Sequence, residues 1–210
     1  MHKQKGIEQN ISKEKVWERF AEGEERLFKN LFEAYYQELF GYGIKLCHRP
    51  EIVKDCIQEL FKTLWERRDE LDHIGSPNVY LFVSLRRNIL RQIKKGKKSE
   101  GDLGEMDEGS FIRFSREDVI ITDEIKHKNK NALKKALNQL SDRQKEVIYL
   151  HFYNGMSYGE IEQILSINRQ SVRNHIYRAM ETLRTLLDNE IMKLVITLMV
   201  TFLPMAQYFM

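Results

Sequence analysis

Between Ser166 and Arg178 the chain places Arg169, Arg173, His175 and Arg178 with no acid among them. A guanidinium offers a fork of donors, and the amides of Gln170 and Asn174 each donate and accept. Arginine suits the paired acceptors of guanine, and Asn or Gln the donor–acceptor edge of adenine. Arg169, Gln170, Arg173 and Asn174 therefore have the chemistry of base reading, with Tyr177 and Arg178 set closer to phosphates. A second collection lies upstream. From His73 to Ser99 no carboxylate occurs, whereas Arg86, Arg87, Arg91, Lys94, Lys95, Lys97 and Lys98 all do, a concentration that favours a polyanion.

These side chains need elements that aim them. Val172, Ile176, Ala179, Leu183 and Leu186 recur at helical steps, which predicts an amphipathic helix whose cap is Asn168 and whose outer face carries the polar set. Just before it, Ser157 and Glu160 form a capping box that opens a short helix through Ile161, Ile164 and Leu165, followed by the turn "SIN". A short helix, a tight turn and a longer helix with polar residues at its start make a helix-turn-helix. Upstream of it, Ser141 and Gln144 repeat the capping device. They open a helix with Val147, Ile148, Leu150 and Phe152 that stops at Asn154-Gly155, and a further helix carries Leu133, Ala136, Leu137 and Leu140.

The first half reads as helical too. Val16, Phe20, Leu27, Phe28, Leu31, Phe32, Tyr35 and Leu39 predict a packing helix, broken near Gly23 and ended by Gly41 to Gly43. Pro50 suits the first turn of the next helix, with Val53, Cys56, Ile57, Leu60, Phe61, Leu64 and Trp65 on its apolar face. Asp55, Gln58, Glu59 and Lys62 lie on the opposite face. Ser76 and Pro77 announce a third helix, with Val79, Phe82, Val83, Leu90 and Ile93 on one side. Tyr80, Ser84, Arg87, Arg91 and Lys94 or Lys95 form a basic stripe on another.

Between Ser99 and Glu124 nine acids face only two arginines, and three glycines interrupt any helix, so this stretch reads as an acidic linker. Its apolar residues, among them Phe111, Ile112, Phe114 and Val119 to Ile121, are too many for a purely solvated spacer and point to docking. The fold expected is all-α: two small helical domains, 13–95 and 131–187, joined by a flexible acidic linker, 96–130, with an apolar tail, 188–210. Leu194 to Met210 carry no charge but are split by Pro204 and marginal in length for a bilayer, so burial is favoured over a membrane tether.

The totals, 34 Lys and Arg against 31 Asp and Glu in 210 residues, describe an ordinary globular protein. Cys47 and Cys56 are too few for a disulfide scaffold and wrongly spaced for a zinc knuckle, and the first residues hold no apolar signal run, which together favour a cytoplasmic home. Cys47 beside His48 does not make a thiolate–imidazole site, because neighbouring helical residues face apart. No phosphate loop or ligand spacing is visible, so no catalytic residue, metal or cofactor is expected.

The stretch "LNQLSDRQKEVIYLHFYNGMSYGEIEQILSINRQSVRNHIYRAMETLR" resembles region 4 of extracytoplasmic-function (ECF) sigma factors, and "DCIQELFKTLW" with "YLFVSLRRN" resembles their region 2. That resemblance implies a transcription initiation factor that binds core RNA polymerase and recognises promoter DNA at −10 and −35 elements. It implies −35 contacts from Arg169, Gln170, Arg173, Asn174, Tyr177 and Arg178, and −10 contacts from Tyr80, Arg87, Asn88, Arg91, Lys94 and Lys95. It implies polymerase contacts from Asp55, Gln58, Glu59 and Lys62, an anti-sigma factor, often membrane-bound, as a further partner, and a connector that threads toward the polymerase cleft. The chain departs from the family pattern at Glu162, often Ala, at Ser166, often Gly, and at Gln92, often Asp. A dimeric helix-turn-helix regulator is the alternative, and a helical membrane adaptor ranks after it.

Overall fold

The computed structural model describes residues 12–99, 112–114, 127–189 and 191–193. All of its regular elements among these residues are helical, and the chain divides between Asp102 and Leu103 into two compact units.

Unit 1 is built from α1 (Lys13–Ala21), α2 (Phe28–Cys47), α3 (Pro50–Glu66) and α4 (Pro77–Ser99), with single 3₁₀ segments at Glu25–Leu27 and Arg68–His73. Ser12 caps α1, its hydroxyl accepting from the Lys15 N–H. The core gathers Phe20, Leu31, Tyr35, Leu39, Tyr42, Ile57, Leu64 and Phe82, all essentially sealed from solvent. The glycines at 41 and 43 do not end α2. The helix runs through them to Cys47 and stops where His48 turns left-handed, at φ 53°. Gly43 serves close packing instead: a Cβ there would stand 2.6 Å from Val53 Cγ1 and 3.1 Å from Ile89 Cδ1.

In α3 the predicted apolar face is the buried one except for Trp65, which is half-buried, and Pro50 occupies its first turn. In α4 the buried set is Val79, Leu81, Phe82, Leu85 and Ile89, whereas Val83, Leu90 and Ile93, expected inside, are only half-buried. The inward stripe is rotated because α4 packs on both α2 and α3. Gly96 to Ser99 and His127 to Lys130, assigned from sequence to the linker, belong to helices.

Unit 2 contains α5 (His127–Gln139), α6 (Asp142–Ile148), a π-helical turn (Tyr149–Tyr153), α7 (Tyr158–Leu165) and α8 (Arg169–Leu186). Capping boxes open α6, with Ser141 and Gln144, and α7, with Ser157 and Glu160. The expected single run from Ser141 to Asn154 is thus two segments, its last turn widened to i→i+5 bonding, with the Asn154 N–H donating to the Tyr149 carbonyl at 3.3 Å.

The three described residues of the acidic stretch are anchored in unit 2. The Phe114 N–H donates to Asn138 Oδ1 and its carbonyl accepts from Asn138 Nδ2, each at 2.9 Å. The Phe114 ring, 2% exposed, lies 5.7 Å from that of Tyr153, and Ile112 is fully buried. Burying Phe114 and Ile112 contributes about 1.5–3 kcal/mol each, and the two hydrogen bonds about 1 kcal/mol each. Ordering three residues costs about 1–2 kcal/mol apiece, so the attachment holds by no more than a few kcal/mol.

After α8 the chain turns extended at Leu187, and Asp188 accepts from the Ile191 N–H at 2.8 Å, starting a turn in which Ile191 and Met192 are buried. Leu194 to Met210, expected to be buried, and Phe111 and Val119 to Ile121 of the acidic stretch lie outside the described residues. Among the described residues no helix is long and apolar enough to cross a membrane.

Candidate nucleic-acid interface

The downstream candidate site is α8, and its aim is fixed by the turn that precedes it. Ser166 ends α7 in the left-handed conformation, φ 53° and ψ 44°, and the Ile167 N–H reaches back to the Glu162 carbonyl at 3.1 Å. Two residues later Asn168 caps α8, its Oδ1 accepting from the Ser171 N–H at 2.8 Å. Val172, Ile176, Ala179 and Leu183 are buried beneath the helix, which packs on α6 and α7. Leu186, expected to continue that stripe, is 41% exposed, and Leu187, just past the helix end, takes the inward position.

All six residues predicted on the outer face are exposed: Arg169, Gln170, Arg173, Asn174, Tyr177, at 64%, and Arg178. Gln170 Nε2 donates to Asn174 Oδ1 at 3.0 Å, which aligns the two amides along the helix. Among the described residues no carboxylate pairs with Arg169, Arg173 or Arg178. Uncompensated guanidinium groups at the positive end of a helix suit an anion. His175 is not a fourth cation at neutral pH. Burial, then the nearby charges of Arg143 and Arg178, holds its imidazole below the ordinary range.

Sequence inspection missed Arg143 and Glu146. Glu146 is a fully buried carboxylate on α6, 3.5 Å from Arg143 Nη1, and Arg143 lies close enough to α8 to depress His175. Their i,i+3 spacing was visible, but a charged residue in a capped helix reads as solvated, and nothing in the order of residues tells that this face turns inward.

In unit 1, α4 carries the second site. Arg87, Arg91, Lys94 and Lys95 are exposed, and Tyr80 and Asn88 are half-buried. Arg91 Nη2 donates to Asn88 Oδ1 at 3.1 Å. The Tyr80 ring meets Trp17 of α1, centroids 5.9 Å apart and planes tilted by 59°, so α1 supports the aromatic end of the stripe. Trp17 also escaped the sequence reading, because it precedes Tyr80 by 63 positions and only the packing of α1 unites them.

On α3, Asp55, Gln58, Glu59 and Lys62 are exposed as predicted. Gln58 and Lys62 border a hollow of about 460 Å³ lined by Phe28, Phe32, Phe61 and Trp65. Phe28 and Phe32, read from sequence as packing residues only, therefore also line an open aromatic surface. The rings pack edge-on, Phe32 to Phe61 at 4.9 Å and Phe28 to Trp65 at 5.0 Å. The two thiols are not poised for chemistry, since burial raises both, Cys56 to about 11. Among the described residues no group of His, Cys, Asp or Glu is placed to hold a metal ion.

The model of "Sigma-70 region 2" matches residues 31–99, and that of "Sigma-70, region 4" matches 130–183, which contains α7, the turn and α8 as far as Leu183. The chain belongs to the sigma-70 family. Its relatives include the "ECF RNA polymerase sigma factor SigK" of Mycobacterium ulcerans, 22% identical over 169 residues that cover 80% of this chain and 89% of that one. The "ECF RNA polymerase sigma factor BldN" of Streptomyces coelicolor is 25% identical over 175 residues, covering 82% and 65%. The fold is shared with the sigma factor RpoE, solved with the anti-sigma factor NepR from Bartonella quintana, at a TM-score of 0.54 and 22% identity over 76% and 95% of the two chains. CnrH, solved with the cytosolic domain of CnrY, gives 0.53 and 19% over 81% and 94%. This sigma factor of the ECF type thus binds core RNA polymerase and directs initiation at promoters.

Proposed function

We propose that this sigma factor grips a promoter at two points, reading the −35 element with α8 and the −10 element with α4. The carrying observation is the capped helix-turn-helix, which leaves Arg169, Gln170, Arg173 and Asn174 outward over a buried Val172, Ile176 and Ala179. Arg169 and Arg173 reach guanine edges, Gln170 and Asn174 adenine edges, and Tyr177 and Arg178 phosphates, with Arg143 as a further phosphate contact from α6. On α4, Tyr80 stacks on an unpaired base, with Trp17 behind it. Arg87, Asn88 and Arg91 hold the single strand, and Lys94 and Lys95 hold its backbone.

Polymerase docks on α3 through Asp55, Gln58, Glu59 and Lys62, with the adjoining aromatic hollow as the apolar centre of a polar rim. In domain terms, residues 13–95 serve polymerase and the −10 element, 131–187 the −35 element, and 96–130 and 188–210 are connector and tail. The protein acts in the cytoplasm, without catalysis or cofactor of its own. Its relatives of known structure are held by NepR and CnrY, which supports an anti-sigma factor as the regulator here too. The test is transcription with purified core polymerase, this chain and a promoter pool. Discrete start sites are expected, weakened by Arg173→Ala and by Arg87→Ala. Start sites that survive both substitutions at full strength would overturn the two-point assignment.

A further inference from the structure

We infer that the acidic connector is clipped to unit 2 at residues 112–114, and that this clip sets the separation of promoter elements the protein accepts, a step that rests on the two-point reading above. Asn138 meets both backbone polar groups of Phe114, as a neighbouring strand would. Its Nδ2 also donates to the Lys134 carbonyl at 3.0 Å, which holds the amide in place on α5 before the peptide arrives. The Phe114 ring enters beside a stacked pair, Tyr149 and Tyr153, whose planes lie within 11° at 5.0 Å. The π-helical turn brings those two tyrosines together. Ile112 is buried and Arg113, between the two anchors, points to solvent. The receptor thus recognises an extended segment with an aromatic side chain, and the chain supplies that segment itself.

The consequence is a shorter tether. Helix α4 ends at Ser99 and α5 begins at His127, so without the clip residues 100–126 join the units. With it, only residues 100–111 do, and the greatest possible span falls from about 100 Å to about 45 Å at ~3.6 Å per residue. A tether shortened by more than half restricts how far apart two DNA-bound units can sit.

The experiment uses the full-length chain, Phe114→Ala, and Asn138→Asp, which keeps the side chain's shape but removes the donors and serves alone if Phe114→Ala does not fold. Trypsin should cut after Arg113 at least about tenfold faster in either variant, because the anchored segment must open before it enters a protease. With core polymerase, initiation is then measured on promoters that differ only in the spacer between their elements. Initiation at the best spacer should fall about threefold in the variants, the change in effective concentration as a tether of 12 residues becomes one of 27, and should fall less at spacers two base pairs longer. Unchanged cleavage overturns the clip. Faster cleavage with an unchanged spacer profile overturns its role in spacing. Wild-type holoenzyme that is silent at every spacer would bring down the two-point reading instead, while the cleavage rates still report on the clip.

Discussion

Arg173 stands exposed on the outer face of α8, one turn after the Asn168 cap, between Val172 in the core and Asn174 in its amide pair. A bidentate guanidinium on a guanine discriminates by about 1–3 kcal/mol. Arg173→Ala should therefore lower initiation about 5- to 100-fold on the preferred −35 element and much less on one already mutated at the contacted base, as run-off transcription would read. Arg178→Ala, a phosphate contact, should weaken all sequences alike and reduce the salt slope by about one. His151 shows a different kind of residue effect. Burial holds its imidazole below the ordinary range, against a counter-pull from Nδ1, which donates to the Met156 carbonyl at 2.8 Å. His175 is shifted the same way. The unfolded chain binds protons near pH ~6.5 and the folded chain resists them, so the stability involved is complete above that pH and lost as pH falls toward the folded values. The melting temperature of unit 2 should drop on acidification below about pH 6.5, and His151→Gln should flatten the drop. A midpoint as high in mild acid as at neutrality would contradict the buried, neutral imidazole.

Whole elements depend on two backbone positions, Gly43 and Ser166, whose demands are opposite. Gly43 lies in mid-helix, where alanine ordinarily gains about 1 kcal/mol of propensity. Here the added Cβ would meet the stiff, buried Val53, so Gly43→Ala should destabilise unit 1 by about 1–3 kcal/mol in chemical denaturation. Ser166 is the reverse case. A non-glycine residue in the left-handed region costs about 1 kcal/mol, so Ser166→Gly should stabilise unit 2 by that amount without altering the helix-turn-helix. Gly41 and Gly43 read as a helix stop because a glycine pair usually is one, and only the crossing of α2 with α3 and α4 gives them another purpose. Ser157 with Glu160, and Asn168, were legible without that help, since a capping box closes within four residues.

At the scale of the molecule, the net charge of +3 hides an arrangement in which cations crowd α4 and α8 and acids crowd the connector. Two compact units with separate cores should melt as two cooperative transitions in calorimetry, Gly43→Ala moving one and Ser166→Gly only the other. One transition shifted by both would refute that independence. The sequence by itself determined the all-helical class, the order of the helices, the caps of α6, α7 and α8, and the polar outer face of α8. Periodicity and capping are local, and each is complete within a turn or two of chain. Tertiary structure alone decided that Trp17 backs Tyr80, that Glu146 is buried, that Phe28 and Phe32 open onto a hollow beside Gln58, and that Asn138 clasps Phe114. Each of these joins residues distant in sequence or depends on which way a helix is turned, and both are settled only when the helices pack against one another.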